Sequence, residues 1–342
     1  MTQPRSALIS LGDTAWYHCV SRCVRRAFLC GEDRLTGKNF EHRRGWIAAR
    51  IKELAAIFAI DIAAFAVMSN HYHVVAHVDR ARALGWSVDE VLTRWTQLFT
   101  GPLLVRRYLS PARAGMDRAE IAKVAEIAAL YRARLHDLSW FMRGLNESLA
   151  RQANGEDGCT GRFWEGRFKS QALLDEQALL AAMAYVDLNP VRAGMAETPE
   201  TSDYTSIQER LGAAPAARAS AGDATEAPLP QAPLMPFDAT GRTAWAIPFA
   251  FEDYVELVDW TGRALQPKKK GMIAAHQPKI LERIGVDGPA FIDFSTRFLK
   301  EFGSAVGAPG ALIDLCARRQ IKYLRGIHTA RKMFGSQPQR AA

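Results

Sequence analysis

Residues 61–78 read DIAAFAVMSNHYHVVAHV. Asp61–Met68 and Tyr72–Val78 are each rich in β-branched, aromatic and small apolar residues, and Ser69-Asn70 between them is a turn pair, so the stretch predicts two strands joined as a hairpin. Upstream, Trp16–Val24 (WYHCVSRCV) alternates aromatic and β-branched residues with polar ones, which predicts another strand. Between them, Asn39–Ile60 places Phe40, Trp46, Ile47, Ile51, Leu54 and Phe58 at helical spacing. The order is β-α-β-β. Completed by one more strand and helix, it is the order of a ferredoxin-like α+β domain with an antiparallel sheet.

Downstream, Ser87–Phe99 begins a helical stretch, and Ala119–Ala153 reads as amphipathic helix through Ile121, Val124, Ile127, Leu130, Leu138, Phe141, Leu145 and Leu149. Residues of about 102–153 are expected to form a helical insertion. Gly161–Leu174 reads as extended, and Asp175 is placed to cap a helix that runs to about Leu188 and is stopped by Pro190. From residue 212 to 241 the composition turns to Ala and Pro (Pro215, Pro228, Pro230, Pro233, Pro236), and hydrophobic periodicity disappears. This predicts a catalytic domain over 1–211, a linker over 212–241 and a mainly helical C-terminal domain over 242–342. The last is expected to close on a basic helix, Cys316–Phe334, carrying Arg318, Arg319, Lys322, Arg325, Arg331 and Lys332.

The chain has 342 residues, 48% of them hydrophobic, enough for a substantial core. Its 44 Lys and Arg against 36 Asp and Glu give a net charge of +8, which suits a phosphate-bearing partner without requiring one. No apolar run approaches the length of a membrane span, so a cytoplasmic protein is expected. Cysteines 19, 23, 30, 159 and 316 fit no disulfide framework and lack a CxxC pair, so reduced thiols are expected rather than zinc ligands. Neither a Walker-type nor a dinucleotide-type glycine loop occurs.

Three stretches carry candidate chemistry. His71 and His73 stand two apart, so on a strand they share one face and can grip one ion; the pair also occurs in ordinary strands, and His77 continues the same alternation. In GRFWEGRFKSQ (161–171), Arg162, Arg167 and Lys169 alternate with Phe163, Trp164 and Phe168, joining phosphate-neutralising cations to rings that can stack on bases. An edge strand with a packed aromatic face fits that stretch equally well. In AMAYVDLNPVRAG (182–194), Tyr185 and Asn189 lie four apart and share a helix face, which offers a nucleophile beside an oxygen ligand. A tyrosine on a helix is more often core.

MSNHYHVV (68–75), LNESLARQANGEDGCTGRFWEGRFKS (145–170) and AYVDLNPVRAG (184–194), in that order, resemble the REP-associated tyrosine transposases, a branch of the single-tyrosine HUH nucleases. With DYTS at 203–206, the resemblance runs from about Trp16 to Ile207. It implies an HUH catalytic domain in which His71 and His73 bind Mg²⁺ or Mn²⁺, Asn189 is the third ligand and Tyr185 is the nucleophile. It further implies attack on a phosphodiester of folded single-stranded DNA, giving a 5′-phosphotyrosine and a free 3′-hydroxyl, with no nucleotide cofactor. Arg162, Arg167 and Lys169 are then expected at the DNA backbone, and Phe163 and Trp164 against bases. Dimeric and monomeric relatives both exist, so a homodimer is left open. The region after Gly241 lies outside the resemblance, and Lys268–Lys270 with the closing helix make it a candidate auxiliary DNA surface or simply a solvated one.

Two other readings stand beside this one. The first is a relative that holds DNA without cutting it; the second is a metal phosphoesterase in which water attacks.

Overall fold

The computed structural model describes residues 4–24, 29–32, 37–212, 229–243, 245–265 and 277–334. A turn of helix, α1 (Arg5–Leu8), leads into β1 (Trp16–Arg22), α2 (Arg43–Ile57), β2 (Ile60–Val67) and β3 (His71–Val78). The hairpin closes at Ser69-Asn70, where the Met68 amide donates to the His71 carbonyl at 2.8 Å. Chain continues through α3 (Arg80–Gly85), α4 (Val88–Thr96), α5 (Leu103–Tyr108), α6 (Arg118–Leu135) and α7 (Leu138–Glu156) before β4 (Lys169–Leu173) and α8 (Glu176–Asp187). The four strands lie in the order β2-β3-β1-β4, all antiparallel, as the ferredoxin-like reading requires.

Strand alternation gives the sheet two unlike faces. Tyr72, Val74 and Ala76 point to the side covered by α2 and α7, where the Tyr72 hydroxyl donates to Asn146 Oδ1 at 2.8 Å. His71, His73 and His77 share the opposite side with His18 of β1 and Gln171 of β4, and α8 packs there. The polar residues thus lie on the face that α8 covers, where His18 and His73 are fully buried and His71 and His77 partly so.

The expected helix over 119–153 is two helices. It breaks at His136-Asp137, where the Asp137 carboxylate accepts from the Ser139 and Trp140 amides and starts α7 afresh. The inserted layer is therefore α3–α6, while α7 is the second helix of the ferredoxin core, packed on α2. Trp95, Tyr131 and Trp140 cluster between the two, with the Trp95 and Tyr131 rings stacked at 4.6 Å. The extended stretch from Gly161 pairs as a strand only over Lys169–Leu173. Asp175 caps α8 as expected, accepting from the Ala178 amide at 2.8 Å.

After α8 come α9 (Asn189–Arg192) and α10 (Ser206–Arg210). Of the Ala/Pro-rich stretch, residues 229–241 are described, and they form a strap on the first domain: the Ala232 amide donates to the Lys52 carbonyl at 3.0 Å and Met235 to Ile62 at 2.9 Å. The C-terminal part contains α11 (Phe251–Leu265), α12 (Lys279–Arg283), α13 (Gly288–Glu301), β5 (Ala305–Val306), α14 (Pro309–Arg318) and α15 (Ile327–Phe334). It packs directly on α8 and α9, and β5 extends the sheet as a parallel neighbour of β4. The single basic helix expected over 316–334 is the end of α14, a turn through Gln320 at φ 53°, and α15. Lys268–Lys270 lie outside the described residues.

Asp187 joins the parts. Its buried carboxylate accepts from Ser206 Oγ (2.5 Å), the Ile207 amide (3.0 Å) and the Tyr254 hydroxyl of α11 (2.5 Å). Burial still pushes its pKa up to about 6. A carboxyl raised on folding holds its proton more tightly in the native state, so stability is greatest at low pH and falls as pH rises between the unfolded value and about 6. Wild type is expected to lose about 2 kcal/mol relative to Asp187→Asn between pH 4 and 6, read from urea unfolding midpoints. Parallel curves would mean that the carboxylate is hydrated in solution.

Candidate active site

The site grows from the alternation of three strands, β1, β3 and β4, and one helix end. In the sheet register Val20 lies opposite His73, Arg22 opposite His71, and Gln171 opposite His18. From the other side, α8 ends at Asp187 and α9 resumes at Asn189, with Leu188 at φ −87° and ψ 1° between them. Backbone bonds run on from Leu188 to the Ala184 carbonyl and from Arg192 to the Leu188 carbonyl, so Tyr185 and Asn189 keep a common face.

They meet the histidines there. Asn189 Nδ2 stands 2.7 Å from His73 Nε2, and the Tyr185 ring centre is 5.6 Å from that of His73. The His71 and His73 rings are 4.8 Å apart, with His71 Nδ1 2.6 Å from Asn70 Oδ1. His77, by contrast, turns toward Asp61 and the Trp16 ring and takes no part.

Burial sets the electrostatics. It drives the pKa of His18 and His71 down to about 4 and that of His73 well below the ordinary imidazole value, so all three are neutral near pH 7. Burial also raises the Tyr185 phenol, while Arg192 acts in the opposite sense from 4.1 Å above its ring. Arg192 is held by a 2.7 Å bond from its NH1 to the Ser295 carbonyl of α13.

Neutral imidazoles whose Nδ1 atoms are both engaged, at Asn70 Oδ1 and His18 Nε2, keep Nε2 for another partner, as a divalent ion's ligands must. Among the described residues no group of three His, Cys, Asp or Glu side chains is placed to hold a metal ion; the further oxygen donor beside His73 is the Asn189 amide. Its use as a ligand requires the amide to turn, since its nitrogen faces His73. A set without carboxylates favours Mn²⁺ over Mg²⁺ and leaves the negative charge to be supplied by a phosphate.

The basic stretch divides. Phe163 is buried, while Trp164 is half-buried, donating from Nε1 to the Asn146 carbonyl of α7 at 2.8 Å with its ring edge on Tyr72. Arg162 folds back on the Trp164 and Glu165 carbonyls of its own loop. Arg162 nevertheless lines, with Arg167, Lys169 and Arg5, an open cleft of about 740 Å³, and the Arg5 guanidinium stacks 3.6 Å over Phe168. Gln171 reaches the same cleft, linking it to the histidine cluster.

Sequence reasoning missed His18, Gln171, Arg192 and Phe298. For His18 a signal existed: it sits on the same alternation of β1 that the strand reading assumed. Phe298 had none, because it comes from α13; its ring stacks on Tyr185 at 5.0 Å and covers the candidate nucleophile. Phe298→Ala is expected to cost about 3–5 kcal/mol and to make Tyr185 reactive toward N-acetylimidazole while Tyr17 and Tyr72 stay protected, as read by peptide mass spectrometry. Equal labelling of all three would instead report general unfolding.

Among the described residues no helix is long and apolar enough to cross a membrane. No protein-family model matches the chain, and no curated protein does. Among solved structures it is similar to a REP-associated tyrosine transposase bound to a REP hairpin, at 13% identity over 66% of this chain and 98% of that one, with a TM-score of 0.36. A likeness of that size leaves the site to be argued from its own geometry.

Proposed function

We propose that this chain is a metal-dependent single-stranded DNA endonuclease and strand transferase of the tyrosine transposase type, acting on hairpin or repeat DNA in the cytoplasm. One observation carries the reading: the pair Tyr185 and Asn189 on α8–α9 packs against the pair His71 and His73 on β3, more than a hundred residues away in sequence, with His73 touching both. The solved relative is described as bound to a REP hairpin, which fits the same substrate class. All four residues come from one chain, so a monomer suffices for the arrangement.

Tyr185 attacks phosphorus through its phenolic oxygen, forming a 5′-phosphotyrosine as the 3′-oxygen leaves. Arg192 favours the phenolate and offsets phosphate charge. A divalent ion held by His71, His73 and the Asn189 oxygen would polarise the scissile phosphate. Arg5, Arg162, Arg167 and Lys169 in the adjacent cleft neutralise the flanking backbone. Buried Phe163 packs beneath half-buried Trp164, which is the candidate of the two for stacking on a base.

The cover of Phe298 over Tyr185 favours a second reading, a protein that holds DNA without cutting it. Hairpin DNA from the gene's own flanks, labelled at the 5′ or 3′ end and incubated with Mn²⁺, separates the two on a denaturing gel. A metal-dependent covalent adduct supports the transferase. DNA that is bound across those substrates but never linked supports the binding protein.

A further inference from the structure

Gln171, His18, His73 and Asn189 form one unbroken polar chain across the buried face of the sheet. Gln171 lies 3.0 Å from His18 Nδ1 through Oε1, His18 Nε2 lies 2.9 Å from His73 Nδ1, and His73 Nε2 lies 2.7 Å from Asn189 Nδ2. Every member is buried, His18 and His73 completely. The two imidazoles are cut off from water, so each link they make must pair one donor with one acceptor.

Such a chain has two self-consistent directions, related by turning both end amides and moving both imidazole protons. The C-terminal part breaks the tie. Gln171 Nε2 lies 3.0 Å from the Gly303 carbonyl, with the Phe302 carbonyl at 3.5 Å. A carbonyl only accepts, so the amide nitrogen must face it and Oε1 must face His18. His18 then carries its proton on Nδ1 and accepts at Nε2; His73 carries its proton on Nδ1, and its Nε2 is bare.

We propose that His18 and Gln171 are positioning residues for His73, the chain from the Gly303 carbonyl holding His73 as its Nδ1–H tautomer with the Nε2 lone pair turned toward Asn189. This rests on reading His73 as a metal ligand for its consequence, but not for its test. A ligand histidine must present a bare nitrogen, and the partner of its other nitrogen fixes which one that is. The Gly303 carbonyl belongs to the segment between α13 and β5, so the C-terminal part helps to set the state of the candidate ligand.

The test is nitrogen-15 NMR on histidine-labelled, metal-free full-length protein, with the His73 signals assigned by their loss in His73→Gln. Wild type is expected to show His73 protonated at Nδ1 and bare at Nε2; the opposite tautomer overturns the proposal. His18→Leu removes the acceptor and is expected to shift His73 to the Nε2–H form, whereas Gln171→Glu keeps an acceptor for His18 and is expected to leave His73 unchanged. If His18→Leu folds and His73 stays Nδ1–H, His18 does not set the tautomer; if it fails to fold, wild type and Gln171→Glu still decide. Mn²⁺ titration by electron paramagnetic resonance then reads the consequence, a 10–100-fold weaker affinity in His18→Leu. Wild type that shows the expected tautomer but binds no Mn²⁺ would sink the metal reading and leave the positioning chain standing.

Discussion

Tyr185→Phe is expected to abolish the covalent DNA adduct, a loss of at least about a thousandfold, because it deletes the attacking atom and leaves no equivalent one in place. The same change is expected to leave the fold nearly untouched. The ring is held by Phe298 at 5.0 Å and by the Arg192 guanidinium at 4.1 Å, contacts that phenylalanine preserves. Loss of the hydroxyl should cost about 1 kcal/mol. Adduct formation on the denaturing gel and thermal unfolding of the same preparation check both halves. An adduct that persists in Tyr185→Phe would place the nucleophile elsewhere; cleavage that persists without any adduct would favour attack by water.

Acid should destabilise the metal-free protein steeply. His18 and His71 fall to about 4 on folding and His73 falls well below the ordinary value, each because burial opposes the imidazolium. A histidine depressed on folding binds fewer protons in the native state than in the unfolded one, so its contribution is full above about pH 6.5 and is lost as pH falls toward 4. For His18 and His71 this is on the order of 3 kcal/mol each. Asp187, raised to about 6, titrates in the opposite sense over part of the same window. Urea unfolding in the Asp187→Asn background isolates the histidines: the midpoint is expected to fall by an amount equivalent to several kcal/mol between pH 7 and 4.5. A flat profile there would mean that water reaches the histidine cluster, and the buried chain from Gln171 to Asn189 would not hold in solution.

Much of this architecture is written in local pattern. Alternation in WYHCVSR and HYHVVAHV, helical spacing from Trp46 to Leu54, and Asp175 ahead of an apolar run are short-range signals, and each corresponds to an element of the fold. A period of two places His71 and His73 on one face before any tertiary contact is known. A spacing of four does the same for Tyr185 and Asn189. Local pattern was less informative where a break depends on one cap, as at Asp137 in the middle of an amphipathic stretch.

Tertiary structure alone decided which faces meet. Nothing local to Phe163 or Trp164 distinguishes a ring stacked on a base from one packed on α7, since both need the same apolar surface. Nor does the Pro-rich stretch reveal that residues 229–241 bind along α2 and β2, because its amide bonds go to carbonyls far away in the chain. Phe298 over Tyr185 and the Gly303 carbonyl behind Gln171 belong to the same class: contacts across more than a hundred residues, imposed by packing α13 on α8 and β5 beside β4. The sequence by itself determined the strands, the helix and the chemistry each could offer; the packing of the C-terminal part determined which atoms are covered and which way the buried hydrogen bonds run, because burial and hydrogen-bond direction depend on neighbours that only the closed fold brings together.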